Sequence, residues 1–461
     1  MLSFTPKFLA DATGGRWTRE PAGPVTGFTV DSRVLASGQC FVALKTARRD
    51  GHDFLGAALE VGAAAALVAA PAEALALPQL VVSDPLAAFQ AIAAAHRRTF
   101  PGIVIGVTGS AGKTSTKELL ALLLSAKTGD VLATAGNLNN YLGVPLTLTR
   151  LDPAAHKFAV IEAGIGGVGD MSSLAAMIRP DHAIVTLIGP AHLSELGSLE
   201  NVAREKALLP AAVPEGGLRV FTVGCLNYDA FRHFTSPGLA VAPNVTHEGG
   251  CTQIQLALYP ADDQAPAHHR FECRRLSEGM ARNAALALTV ALRLGVSAAE
   301  AQQRLVSWQP AALRGEHVHD HAGRWLYVDC YNANPASMLD AIDAFINMAP
   351  AAQPRLFILG GMEELGIDSL AYHRRLGEAL QQAMRPQDSA FVLAAAETAD
   401  AVVAGAYPRN VVAADSLADL RTHFEAHVGS VFIKGSRRYQ LESLFLPNID
   451  IAEVAGSAPA H

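Results

Sequence analysis

The chain has 461 residues, half of them hydrophobic and 17% charged, with 36 Lys and Arg against 43 Asp and Glu for a net charge of −7. A chain this long can bury large cores without a metal or disulfide staple, and at roughly 150 residues per domain about three domains are expected. Its composition excludes disorder over most of its length, and the mildly acidic balance gives no general footprint for nucleic acid or anionic membrane.

The stretch 131–149 lacks charge and histidine, but Asn137, Asn139, Asn140 and Pro145 exclude a lipid-facing helix there. The N-terminal segment MLSFTPKFLADATGG has no long apolar core, so no secretory leader is expected. Cys40, Cys225, Cys251, Cys273 and Cys330 are scattered, with no CxxC pair, which fits reduced thiols in the cytoplasm.

In chain order, FTVDSR, CFVALK, AAALVAA and QLVVS predict strands, and the segments after His52 and Pro85 predict helices, giving a small α/β unit. After Phe100-Pro101-Gly102, the apolar run Ile103–Val107 predicts a buried parallel strand. A glycine-rich turn follows, then Leu119, Leu120, Leu123 and Leu124 at helical spacing from Thr114 on. FAVIEAG (158–164) and HAIVTLIG (182–189) continue the strand–helix alternation of a doubly wound parallel sheet. The polar, His-rich stretch near 262–270 is expected to be a surface loop. From about Leu313, RWLYVDCYNANP, RLFILGGM, SAFVLAAA and SVFIKGS predict a second, Rossmann-like alternation, and the tail GSAPAH is expected to fray. The fold class is α/β with three domains, at 1–99, 100–312 and 313–461.

GVTGSAGKT (106–114) carries the strongest chemistry. Successive N–H groups of such a turn, here Thr108, Gly109, Ser110, Ala111 and Gly112, can wrap a polyphosphate, and the following helix N-terminus adds positive potential. Lys113 would reach the terminal phosphates, and Thr114 would offer its hydroxyl to Mg²⁺. Val107 stands where the strict GxxxxGK[ST] pattern has its first glycine, so the pattern is GxxGxxGKT. A second Mg²⁺ anchor is often an acid at a neighbouring strand end, and Glu162 ends FAVIE. His192, in a strand-end loop, and Lys206, in a helical segment, are not singled out by composition or spacing; a satisfied loop histidine and a solvated lysine are the alternatives.

These segments, with TAGNLNNYLGVPLTL (134–148), AHLSELGS and VDCYNANPASM (328–338), resemble the Mur ligases. Within them they are similar to the branch that adds D-alanyl-D-alanine to UDP-N-acetylmuramoyl-tripeptide. DSR (31–33) and FVALKTARRDGHDF (41–54) resemble that branch's uridine-nucleotide domain, and GGMEELG (360–366) and IKGSR (433–437) its C-terminal domain. The resemblance implies a UDP-sugar-binding domain, a central P-loop ATPase domain and a C-terminal ligase domain. It implies amide-bond formation through an acyl phosphate, with ATP and two Mg²⁺ ions. Thr114 and Glu162 would hold one ion; His192 and a carbamylated Lys206 would hold the second. Asn283 would contact adenine, and Arg314 and Asp329 would address phosphate and ribose. Asn332, Asn334, Lys434, Ser436 and Arg437 would lie near the dipeptide, and Asn139 and Asn140 near the peptide substrate. Ser32, Arg33, Lys45, Asp50 and His52 would face the uridine diphosphate. The asparagines could equally be turn formers, and Arg33 a solvated charge. No nucleic acid, no membrane span and a monomer are expected.

The chain departs from the family pattern at Gly361 (often Asp), Leu208 (often Glu), Ser277-Glu278-Gly279 (usually Gly-x-His), Thr46 (Gly) and GIGGVGDM (164–171), which lacks an Asn-His. Two competing readings are another ligase of the superfamily, either a diaminopimelate- or lysine-adding Mur ligase or a folylpolyglutamate synthase, and a P-loop switch that forms no bond. NLNN and YNANP argue against the first; Glu162 with His192 and Lys206 argues against the second.

Overall fold

The computed structural model describes residues 2–234, 238–259 and 265–446. The N-terminal residues build a five-stranded sheet in the order Arg16–Trp17, Gln79–Val81, Ala65–Val68, Cys40–Val42, Phe28–Thr29. All its pairs are parallel except the first. Of the predicted strand FTVDSR only Phe28–Thr29 pairs, because Asp31 turns the chain by accepting the Arg33 N–H at 3.0 Å. The helix Pro85–Thr99 starts where sequence rules place it, with Asp84 as cap and Pro85 in the first turn.

The central sheet is six-stranded and wholly parallel, ordered Gly238–Val241, Arg219–Thr222, His182–Val185, Ile103–Thr108, Phe158–Glu162, Val131–Ala133. The chain leaves Ile103–Thr108 for one edge, returns through Phe158–Glu162, then crosses to His182–Val185. Ile103–Thr108 is thus the switch point, and its carboxyl end opens a crevice. Its residues alternate between two buried layers. Ile105 and Val107 pack with Leu119, Leu120 and Leu123 of the helix Lys113–Leu124. Val104 packs on the other side with Ile161 and Leu209. Burial on both faces is what makes this strand a continuous apolar run.

A three-stranded antiparallel sheet follows: Asn244–Glu248, Cys251–Leu258, Ala267–Arg274. This corrects the loop expected at 262–270: Ala267 to Arg270 pair with Leu258 to Gln255, and residues 262–264 lie outside the described residues. Polar His268 and Arg270 alternate with His269 and Phe271 on a sheet half exposed to solvent, which conceals the strand from an apolar count.

The C-terminal sheet runs Glu316–His319, Trp325–Asp329, Ser430–Lys434, Arg355–Gly360, Ser389–Leu393, Val411–Ala413, parallel except for the first pair. The late strand Ser430–Lys434 inserts between two earlier ones, so Asp329 and Lys434 become register partners at the carboxyl edge. Phe345, Phe357 and Phe432 fill one layer of this domain. The predicted tail GSAPAH lies outside the described residues. No helix is long and apolar enough to cross a membrane among the described residues, and all five cysteines are free thiols.

Candidate active site

The carboxyl edges of the central and C-terminal sheets face one another across a cavity of about 650 Å³. On the central side the lining includes Ser110, Ala111, Gly112, Lys113, Thr114, Asn139, Glu162 and Asn283; on the other, Arg314, Asp329, Asn332, Asn334 and Lys434. Thirteen residues proposed from sequence thus meet at one place, although they come from segments far apart in the chain.

The turn has the geometry that its glycines permit. Gly112 has φ of 80° and caps the helix Lys113–Leu124; a Cβ there would lie 2.2 Å from Nδ2 of Asn283. The glycine therefore allows both the left-handed turn and the close approach of the helix Glu278–Arg293. The Lys113 ammonium bonds the Gly109 carbonyl at 3.0 Å. Burial pulls its pKa below the ordinary lysine range; Glu162 opposes that shift and Arg314 adds to it. A polyphosphate would supply the negative charge this buried cation lacks. Thr108 does not face the cavity: its hydroxyl donates to the Ala163 carbonyl at 2.8 Å and ties the turn to the next strand.

Glu162 is 1% exposed. Its Oε2 accepts the Thr114 hydroxyl at 3.0 Å, and its Oε1 accepts the Asn139 amide at 2.7 Å. Behind it lies Lys117, which sequence reasoning missed: its ammonium is 3.9 Å from Oε2 and donates to the Thr134 carbonyl at 2.7 Å. A lysine in a helical pattern reads as solvated, and only the packing buries it. Hydroxyl and carboxylate together fit a hard cation such as Mg²⁺, which takes few protein ligands and keeps phosphate and water oxygens. Among the described residues no three His, Cys, Asp or Glu side chains converge as a ready-made metal cage. Asn140 is used differently: its Oδ1 accepts the N–H groups of Leu142 and Gly143, so it stops the loop and starts the next helix.

His192 and Lys206 lie outside the cavity lining. His192 Nδ1 is 2.5 Å from Oε2 of Glu364. Lys206 is 1% exposed on the helix Leu199–Ala211. Burial first, then the charge of Lys113, pushes its pKa well below the ordinary lysine range.

Across the cleft, Lys434 donates to Asp329 at 2.5 Å and to the Asn332 carbonyl at 3.3 Å. Burial raises the Asp329 pKa, while Lys434 and Arg314 oppose it. Arg314 stacks 4.0 Å over Tyr331. Asn334 caps the helix Pro335–Met348 with Ser337, and its amide reaches the Ser110 carbonyl at 3.1 Å, a direct bond between the two domains. Ser436 and Arg437 are not among the lining residues; Arg437 pairs with Glu442 at 3.2 Å and lies 5.7 Å over the ring of Tyr331, which does line the cavity.

The N-terminal set does not reach this cavity. Arg33 is paired with Asp31 at 2.6 Å. Asp50 accepts His52 Nδ1 at 2.6 Å and Lys45 at 3.1 Å. Hydrogen bonds from the His52 backbone and ring hold the Asp50 pKa down at about 2. His52 Nε2 accepts the Ala69 N–H at 3.0 Å, which joins Lys45, Asp50 and His52 into one surface cluster. Ser32 is half-buried beside Arg33.

The departures have structural counterparts. A Cβ on Gly361 would lie 2.7 Å from the Tyr439 hydroxyl, which itself donates to Glu363 at 2.8 Å. Gly166 and Gly167 of GIGGVGDM donate to Asp170, and Gly169 donates to Glu205. Thr46 closes a turn by accepting the Arg49 N–H at 3.1 Å. Leu208 points to solvent. Gly279 donates its N–H to Asp340 Oδ1 of the C-terminal domain at 2.7 Å, and a Cβ there would come 2.7 Å from Asp340 Oδ2. Gly279→Ala is accordingly expected to destabilise the chain by about 1–3 kcal/mol through overpacking. Thermal unfolding should show it, and Asp340→Ala should cost less stability in the Gly279→Ala chain than in the native one, because the displaced carboxylate has already lost its bond to the Gly279 N–H.

Family models for the Mur ligase middle domain and the Mur ligase glutamate ligase domain match residues 107–238 and 313–437. The Escherichia coli UDP-N-acetylmuramoyl-tripeptide–D-alanyl-D-alanine ligase is 33% identical over 397 residues, 83% of this chain and 84% of that one. The chain is a Mur ligase. The Bacillus subtilis enzyme of the same name is 30% identical to this Mur ligase, over 77% of each chain. A crystal structure of MurF from Acinetobacter baumannii superposes with a TM-score of 0.83 at 28% identity, covering 96% of this Mur ligase and 98% of that chain. The fold is therefore the three-domain α/β fold of these ligases.

Proposed function

We propose that this Mur ligase joins D-alanyl-D-alanine to UDP-N-acetylmuramoyl-tripeptide at the expense of ATP, in the cytoplasm. The observation that carries the reading is the single cavity in which Lys113, Thr114 and Glu162 face Arg314, Asp329 and Lys434. Relatives named for that activity, matched over most of the chain, favour it over a diaminopimelate-, lysine- or folate-directed ligase. A monomer is part of the proposal. The proposed borders are 1–99, 100–312 and 313–461; the separate sheets support them, as does the left-handed backbone of Leu313 (φ 64°) and Gly315 (φ 69°) near the last one.

A carboxylate is a poor electrophile because oxide would have to leave. In the proposed reaction its oxygen attacks the γ-phosphorus of ATP, and ADP departs. The amine of D-alanyl-D-alanine then attacks the acyl carbon, phosphate leaves with the carboxylate oxygen, and the amine loses a proton. Carboxylate and ATP repel one another, so positive groups must lie between them. Lys113 on the phosphate loop and Arg314 and Lys434 on the opposite wall provide such groups. Mg²⁺ held by Thr114 and Glu162 would add charge neutralisation at the phosphates. His192 and Lys206 as its carbamate are proposed to hold a second Mg²⁺. The depressed basicity of Lys206 supports this, since only a neutral amine adds CO₂. Asn283 would bind adenine, Asp329 the ribose, Asn139 and Asn140 the peptide, and Asn332, Asn334, Ser436 and Arg437 the dipeptide end. Ser32, Arg33 and the Lys45–Asp50–His52 cluster would bind the uridine diphosphate.

ADP release measured with UDP-N-acetylmuramoyl-tripeptide is expected to rise sharply when D-alanyl-D-alanine is added. It should not rise with meso-diaminopimelate, lysine or glutamate. ADP release indifferent to the dipeptide would overturn the reading.

A further inference from the structure

The loop that carries His192 meets the C-terminal domain at three points. The ring Nδ1 is 2.5 Å from Oε2 of Glu364. The Ser194 N–H donates to the Glu364 carbonyl at 3.3 Å. The space a Cβ on Gly366 would fill is 3.2 Å from the Leu193 carbonyl. His192 and Glu364 both have left-handed backbone, with φ of 56° and 62°. Residues other than glycine seldom hold that conformation unless their surroundings over-determine it. Here Glu364 commits both its carboxylate and its carbonyl to the facing loop, which accounts for the strain on its side of the junction.

The ring chemistry follows. A neutral imidazole carries one proton, and the ion-pair contact of a carboxylate 2.5 Å from Nδ1 favours placing it there, which leaves the lone pair on Nε2. Among the described residues Nε2 of His192 has no hydrogen-bond partner. A carboxylate behind a histidine is also the usual way in which proteins orient a metal-binding ring and raise its basicity. Glu364 belongs to the C-terminal domain and His192 to the central one, so the pair exists only where the two are docked.

We infer that Glu364 is a positioning residue for His192: it fixes the ring as the Nδ1–H tautomer and holds Nε2 open as a ligand, and it does so only in the docked arrangement. Its purpose rests on the proposed reading of His192 as a ligand of the second Mg²⁺; the tautomer itself does not. The group acts without touching substrate, and a sequence carrying Glu364 and His192 far apart gives no sign of their contact.

The test is nitrogen NMR of the full-length, ligand-free protein with ¹⁵N-labelled histidine, His192 being assigned by the signals that His192→Gln removes. In the native protein a protonated Nδ1 and an unprotonated Nε2 are expected. Glu364→Ala should move the proton toward Nε2, which free imidazoles favour; Glu364→Gln, whose amide oxygen still accepts, should keep the native pattern. Because Glu364 is more than half exposed, these variants are expected to fold. His192 signals unchanged in Glu364→Ala overturn the inference. In parallel, the Mg²⁺ concentration needed for half-maximal activity should rise about 10- to 100-fold in Glu364→Ala. A shifted tautomer with an unchanged Mg²⁺ requirement upholds the positioning role and overturns instead the assignment of His192 to a metal.

Discussion

Glu162→Gln is expected to lower kcat/KM for Mg²⁺-ATP by about a hundred- to a thousandfold, the scale of removing one preorganised electrostatic contact. The substitution is nearly isosteric. The new amide oxygen can still accept from Asn139, and the new NH₂ can donate to the Thr114 hydroxyl, which now stands 3.0 Å from Oε2. Lys117 loses the carboxylate at 3.9 Å but keeps the Thr134 carbonyl at 2.7 Å and Glu118 at 3.6 Å. The stability cost should therefore be only about 1–2 kcal/mol. Steady-state kinetics across a Mg²⁺ titration, with calorimetric unfolding alongside, separates the two effects. Activity retained in full at low Mg²⁺ would remove Glu162 from the metal site; a collapse in stability equal to the loss of activity would make its role structural. The contrast is informative because Thr114 and Asn139 reach the same carboxylate from the phosphate loop and from the loop proposed to lie near the peptide. One neutralised side chain thus tests whether both loops are organised around a charge or merely around a hydrogen-bond acceptor.

How much of this was legible beforehand depended on whether a feature is local. The strand Ile103–Thr108, the glycine turn and the helix to Leu124 are visible in sequence because each is specified by near neighbours: an apolar run, glycines where a Cβ would collide, leucines at helical spacing. The four inner strands of the C-terminal sheet are legible for the same reason. The antiparallel sheet of residues 244–274 is not, because one face is wet and the polar residues on it dilute the pattern. The short edge strands, Arg16–Trp17 among them, offer too few residues for any period to show.

The candidate site divides along the same line. Lys113, Thr114 and Glu162 could be picked out from motif and strand end alone. Lys117, Asp340 and Glu364 could not, since their meaning lies in partners distant in the chain: Glu162, Gly279 and His192 respectively. Asn140 sits in a motif that resembles a substrate loop, and its side-chain oxygen also has a local role, accepting the N–H groups of Leu142 and Gly143 while its amide nitrogen stays available. The Ser277-Glu278-Gly279 departure reads in sequence as a lost histidine; in the fold it makes room for a carboxylate from the other domain.

Lys206→Ala should lose activity by at least about a hundredfold, and short carboxylates or bicarbonate should partly restore it. A lysine that is 1% exposed and lies within the field of Lys113 is a poor place for a second cation. Its folded-state pKa is well below the ordinary 10.5, so in the unmodified chain proton binding favours unfolding, and stability should rise as pH climbs from that depressed value toward 10.5. Adding CO₂ removes the difficulty: a nitrogen–carbon bond forms, the amine gives up a proton, and an anionic oxygen ligand replaces a buried cation. Under the proposed carbamate, the Ala variant would delete the side chain that holds that anion and leave room for formate or acetate to stand in its place. Lys206→Met separates charge from space, since it fills the volume without offering a ligand. It should be at least as stable as the unmodified native protein at neutral pH, inactive, and beyond rescue by carboxylates. Full activity in Lys206→Ala would refute the carbamate, and rescue of the Met variant as readily as the Ala variant would show that added carboxylates act somewhere other than the vacated site.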